Sequence, residues 1–138
     1  MNRFLMCVPA LLLGGLVAAD NVEDADTLLC AAQHVFVCFE DGDCRSAMPW
    51  ELNVPDFVIV DVDKKILRTT KGSGENRSTT ADVTFREDGR LFLSGHEYGR
   101  LFNIVVDESL GLMTATVTIN GATISTFGAC TDADRIGK

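Results

Sequence analysis

Cys30, Cys38 and Cys44 stand close together near the start of the 138-residue chain and Cys130 stands near its end, with short alternating apolar runs between them. A bond from the first of these runs to the last would fasten the whole fold. Such bonds persist in an oxidising compartment, and the N-terminus predicts one. Arg3 precedes the apolar run Phe4–Val17, and Val17-Ala18-Ala19 offers the small residues of a cleavage site before Asp20, the outline of a secretory signal peptide. The run has 14 residues, fewer than the roughly 20 needed to cross a bilayer, so cleavage is expected over retention as an anchor. Cys7 follows only six residues, with no hydrophobic region before it, and is set aside with the signal. The expected product is periplasmic or extracellular: a signal peptide over 1–19, an acidic flexible arm over 20–27 and a single β domain over 28–138.

The remaining four cysteines allow three pairings. Cys30 and Cys38 lie eight positions apart in one predicted strand. At about 3.3 Å per residue they cannot meet unless the strand breaks. Of the other two pairings, Cys38–Cys44 closes a tight loop with Asp41-Gly42 as its turn, which leaves Cys30 for Cys130. In the chain-entropy account the short loop contributes about 2 kcal/mol and the long one between about 4 and 5. Zinc lacks local support, because the chain has no C-x-x-C and no compact Cys/His pair.

The net charge is −8, or −9 once Arg3 is removed, and the remaining basic residues are scattered. Nucleic acids and anionic membrane surfaces are bound through clustered cations, so neither is an expected partner. The acidity suits a soluble monomer or one with a basic partner. Asp20, Glu23, Asp24 and Asp26 read as a solvated lead-in.

Strand signals run through the rest. Val35-Phe36-Val37 favours strand over helix in the segment Thr27–Phe39. Pro49, Trp50 and Pro55 mark an irregular connection with one helical turn near Trp50–Asn53. Phe57–Val62 is apolar on both parities, and Lys65–Thr70 is its hairpin partner. Beyond the loop Lys71–Ser78, strands follow at 81–86, 90–95, 102–106, 113–119 and 122–130, with Asp88-Gly89, Tyr98-Gly99 and Asn120-Gly121 as turns, the last a type I′ signal. Met113, Ala115, Val117 and Ile119 alternate with Thr114, Thr116 and Thr118, the pattern of one dry and one wet face. The predicted fold is all-β, an antiparallel meander of about eight strands closed as an up-and-down barrel, with a β-sandwich as the alternative. A Cys30–Cys130 bridge favours the barrel, since closure sets the first and last strands side by side.

Cys30 with Cys38-Phe-Glu-Asp-Gly-Asp-Cys44, Asn53-Val54-Pro55-Asp56-Phe57, Asp88-Gly89-Arg90-Leu91, Asp107–Met113 and Phe127-Gly128-Ala129-Cys130-Thr131 together resemble a group of small exported proteobacterial β proteins without assigned activity. That resemblance implies export and a β fold and transfers no catalytic residue. Ser94-Gly95-His96-Glu97-Tyr98 is similar to the Ser-Gly-x-x-Tyr element of periplasmic lysozyme inhibitors, small disulfide-bonded barrels. An acidic inhibitor would complement a basic enzyme.

Chemistry-bearing residues are sparse. His34 and His96 are the only histidines, and a metal or acid–base site would need both, with Glu97 as a third group; their spacing offers no H-x-H or H-x-x-x-H pattern. Glu40, Asp41 and Asp43, with Asp61 and Asp63, invite a calcium or glycosidase reading, yet the spacing is not that of a calcium loop. Four cysteines in two bonds leave no thiol nucleophile, and G-x-S-x-G, S-x-x-K and P-loop patterns are missing. No cofactor is implied and no enzyme is expected. Trp50, His96 and Tyr98 are the binding candidates, with Trp50 read by preference as an apolar plug over one end of the sheet. The expected function is a disulfide-stabilised binding module for a small apolar ligand or an envelope protein. The alternatives are a hydrolase inhibitor of the lysozyme-inhibitor kind and a carboxylate- or histidine-dependent hydrolase.

Overall fold

The structure, a computed structural model, describes residues 20–73 and 76–136; the predicted signal peptide over 1–19 lies outside the described residues. The chain is all-β. Its strands are β1 (Thr27–Phe39), β2 (Cys44–Ala47), β3 (Phe57–Asp61), β4 (Ile66–Thr69), β5 (Ser78–Thr80), β6 (Val83–Glu87), β7 (Arg90–Glu97), β8 (Arg100–Asp107), β9 (Leu112–Ile119) and β10 (Ala122–Asp132), with 3-10 turns at Pro49–Leu52, Lys71–Ser73 and Ala133–Arg135. The eight expected strands are present. The two additional ones, β2 and β5, are four and three residues long and carry no alternating apolar pattern.

One antiparallel sheet runs in the order β5-β4-β3-β1-β10-β9-β8-β7-β6, with β2 beside the C-terminal half of β1. It curls into a half-barrel. The first and last long strands are neighbours, as the Cys30–Cys130 reading requires, but they meet in the middle of the sheet. The two edges are β5 and β6, joined directly by Ala81-Asp82, and no ladder links them among the described residues. Both predicted disulfides are formed. Cys30 faces Cys130 across β1 and β10, and Cys38 faces Cys44 across β1 and β2.

β1 serves two ladders on one side, β3 along residues 27–31 and β2 along 35–38, and β10 along the other. Its register with β10 slips between Ala32 and His34. This bulge exchanges the faces of the strand. Leu28 and Cys30 are buried before it and Val35 and Val37 after it, so even residues point inward in one half and odd residues in the other. Gly128 sits opposite the slip, where a Cβ would run into the carbonyl oxygen of Ala31. At Gly95 a Cβ would stand 2.5 Å from Cζ of Phe102; the missing side chain lets that ring lie across β7. The turns at Asp88-Gly89 and Tyr98-Gly99 hold both residues at positive φ, whereas only Gly121 does so in Asn120-Gly121. That last pair makes a hairpin without the expected type I′ geometry.

The acidic lead-in is packed, contrary to the flexible arm expected over 20–27. Val22 and Ala25 are buried, Val22 between exposed Asn21 and Glu23 and Ala25 between exposed Asp24 and Asp26. The Val22 amide donates to the Glu108 carbonyl at 2.8 Å, and Asp20 accepts from Thr131 Oγ1. Burying a valine side chain is worth about 2 kcal/mol, enough to hold a segment whose charges need not leave water. The lead-in closes one end of the half-barrel. There Arg86 Nε donates to Glu108 Oε1 at 2.7 Å and Nη2 to the Ala25 carbonyl at 2.8 Å, with Glu108 only 4% exposed.

Glu108→Ala leaves the Arg86 guanidinium without its anion and is expected to cost about 2 kcal/mol of unfolding free energy, read from urea denaturation. Gly128→Ala is expected to cost about 3 kcal/mol, because the clash is with backbone held on both sides by the β1–β10 ladder. A Gly128→Ala protein as stable as the parent would contradict this register.

Candidate functional site

With one end closed, the concave face of the sheet forms a cup. Inward residues of six strands line it: Val58 and Val60 of β3, Leu67 of β4, Phe102 and Ile104 of β8, Met113, Ala115 and Val117 of β9, Ile124 and Thr126 of β10, and Cys30 and Ala32 of β1. Leu52, Val54 and Pro55 cover one side as a lid. Pro49 starts the 3-10 turn, and Asn53 ends it at φ 54°, in the left-handed region that reverses the chain. The Glu51 carboxylate accepts from the Met48 amide at 2.7 Å and steadies the entry. The cavity left between lid and sheet measures about 160 Å³ and is largely apolar. Its alternating inner face is the one predicted for Met113–Ile119.

The mouth is charged. Arg77, Glu97 and Arg100 line it. Arg77 Nη2 lies 3.6 Å from Glu97 Oε2, and its Nη1 donates to the Asn53 carbonyl at 3.0 Å. A single guanidinium thus ties the approach to β5, the lid and the end of β7, crossing the gap between the sheet edges. The Arg77 amide also donates to Thr69 Oγ1 at 3.1 Å. Glu97 and Arg100 are opposed across the β7–β8 hairpin, on the inward parity shared with Gly95 and Phe102.

The binding candidates fall around this opening without entering it. Trp50 is 78% exposed, a correction to the apolar plug expected: its turn presents Leu52 to the cavity and leaves the indole outside. Tyr98 is 93% exposed at the tip of the β7–β8 hairpin, held at φ 48°, a conformation costing a non-glycine residue about 1 kcal/mol. His96 is exposed on the convex face, where its Nδ1 lies 2.7 Å from Asp82 Oδ2. His34 is exposed on β1, with β10, β9 and β8 between it and β7. The histidines are not brought together, and among the described residues no group of three His, Cys, Asp or Glu side chains could hold a metal. Of the apolar run 57–62, Phe57 is 45% exposed while Val60 and Val62 are buried.

Of the carboxylates singled out in the sequence, Asp41 and Asp61 serve turns, as does Asp107, which was not among them. Asp61 accepts from Lys64 Nζ at 2.8 Å and from its amide at 3.0 Å, and the Lys64 side chain and then its amide hold the carboxyl below its ordinary range. Asp107 accepts from Ser109 Oγ at 2.7 Å and from the amides of Ser109 and Leu110, and these bonds, the serine hydroxyl first, lower its pKa from 3.8. Asp43 donates its amide to Asp41 in the disulfide loop. Arg77 and Arg100 were not among the sequence candidates. Arg100 was within reach, because a two-residue turn at Tyr98-Gly99 sets it opposite Glu97 and two residues from inward Phe102. Arg77 follows a loop, and nothing in the sequence places it at the mouth.

A depressed carboxyl pKa stabilises the fold above the unfolded value, and that contribution is lost as pH falls through the folded one. Stability is therefore expected to decline below pH 3.8, and Asp107→Asn to decline less steeply there; identical acid titrations of the two by circular dichroism would contradict the Asp107 assignment. Comparisons with protein-family models, with characterised proteins and with solved structures returned no match for the chain.

Proposed function

We propose that this protein is an exported binding module whose cup takes a small apolar ligand. The observation that carries this reading is the cavity of about 160 Å³ between the concave sheet face and the Leu52–Pro55 lid. A closed core would be packed without such a space. An apolar cavity of about 150 Å³ holds one benzene molecule, so the ligand part enclosed here has about six carbons. At about 0.8 kcal/mol for each buried methylene, six carbons correspond to a Kd on the order of 0.1–1 mM. The two disulfides and the signal-like N-terminus support an exported location, and no described helix is long and apolar enough to cross a membrane.

Affinity for linear alcohols, measured by titration calorimetry, is expected to rise about fourfold per methylene up to hexanol and then level off. Ala115→Phe would fill the cavity and is expected to abolish binding while leaving the melting temperature equal or higher. Flat affinity from butanol to octanol, or full binding by Ala115→Phe, would refute the proposal.

A second reading is favoured by two exposed aromatics. Trp50, in the turn that leads into the lid, is 78% exposed and Tyr98, between Glu97 and Arg100 in the chain, is 93% exposed, and Tyr98 closes the Ser94–Tyr98 element that resembles lysozyme inhibitors. Aromatic side chains of this kind anchor protein interfaces. A lysozyme inhibition assay tests it: inhibition by the parent and at least tenfold weaker inhibition by Tyr98→Ala are expected, and no inhibition by the parent removes the reading.

A further inference from the structure

Inside the half-barrel, charge is distributed against the sign of the whole molecule. The chain carries −8 overall, yet among the described residues the cavity is lined by three arginines, Arg68, Arg77 and Arg100, against one carboxylate, Glu97; Arg68 is exposed on the outward parity of β4, which leaves Arg77 and Arg100 as the inward pair at the mouth. The other inward arginine, Arg86, is matched by Glu108 at the closed end. Arg77 is committed to Glu97 and to the Asn53 carbonyl. The Arg100 side chain makes no ion pair or hydrogen bond among the described residues, and the residue is only partly exposed. A guanidinium at the rim of an apolar cavity is underhydrated on its inner side, and an anion placed there gains a charge-assisted, two-pronged contact. Thr79, on the same rim, can donate its hydroxyl to that anion.

We propose that the ligand is a short-chain organic anion, a monocarboxylate of about six carbons, whose chain fills the apolar cup and whose carboxylate is received at the mouth by Arg100. This rests on the small-ligand reading above and adds the head group to it. The geometry separates the two functions: Met113, Ala115, Val117 and Ile104 select length, and Arg100 selects charge. The Arg77–Glu97 pair borders the carboxylate position and sets a limit on its size, because Arg77 also fastens the lid through Asn53. A second carboxylate on the ligand would meet Glu97.

The test compares hexanoate, hexan-1-ol and hexylammonium on the disulfide-bonded protein, with binding located by the amide shifts of Ala115 and Val117. Hexanoate is expected to bind about tenfold tighter than hexanol, hexylammonium weakest, and the hexanoate advantage to shrink as salt is raised. Arg100→Gln is expected to bring hexanoate down to the level of hexanol without weakening hexanol, and Arg100→Lys to keep part of the preference. Equal binding of hexanoate and hexanol in the cup would overturn the head-group assignment and leave the apolar reading standing. Binding of neither would remove both. A hexanoate preference that survives Arg100→Gln would overturn the role of Arg100. Should Arg100→Gln fail to bind hexanol as well, the salt titration of the parent decides: an advantage unchanged by salt counts against the proposal.

Discussion

The pairing of β1 with β10, locked by Cys30–Cys130, is the constraint on which the rest of the structure depends. These two strands are at opposite ends of the chain, separated by 100 residues at the bridge, yet they form the centre of the sheet. Every other strand is added outward from them, β2 and β3, then β4 and β5, on one side and β9, β8, β7 and β6 on the other. Non-local pairing is entropically costly to reach. A disulfide across it removes much of that cost by restricting the unfolded chain, by between about 4 and 5 kcal/mol in the entropy account.

Placing the chain ends at the centre moves the sheet edges to β5 and β6, which are consecutive in sequence. The gap between them is crossed by side chains and a short connection instead of by a ladder. In that connection Ala81 donates its amide to the Lys65 carbonyl at 2.8 Å, extending the β4–β5 ladder, while across the gap Arg77 reaches Glu97 and Arg86 reaches Glu108 and Ala25. A closed ladder around a small barrel leaves an interior just wide enough for side chains. A half-barrel joined by arginines has slack, and here the slack is at one end. The lead-in with Val22 and Ala25 fills the other. The outcome is a cup with a dry wall and a charged lip.

The convex face is not uniformly polar. Phe36 and Phe127 meet edge to face at 6.2 Å, and Phe85 stacks on Phe92 at 4.8 Å. Each pair spans adjacent strands, and cross-strand aromatic contacts of this kind stabilise a sheet by about 0.2–1 kcal/mol. They account for the exposure of Phe36, Phe127 and Phe85 without reference to a partner.

Much of this fold was legible in the sequence. Alternation from Ala81 to Ile119 marked the strands, Asp88-Gly89 and Tyr98-Gly99 marked turns, and strand geometry alone excluded a Cys30–Cys38 bond. Those signals are local, set by residue period and turn chemistry, and the chain carries them in any context. Tertiary structure decided what depends on distant neighbours. The bulge after Ala32 put both halves of β1 into the core, and the position of β1 beside β10 opened the sheet between β5 and β6. Val22 drew the acidic lead-in onto the closed end, and the lid turned Leu52 inward and Trp50 outward. The cup and its arginine mouth belong to this second class, because a cavity and an unmatched charge are properties of surfaces that meet only after folding.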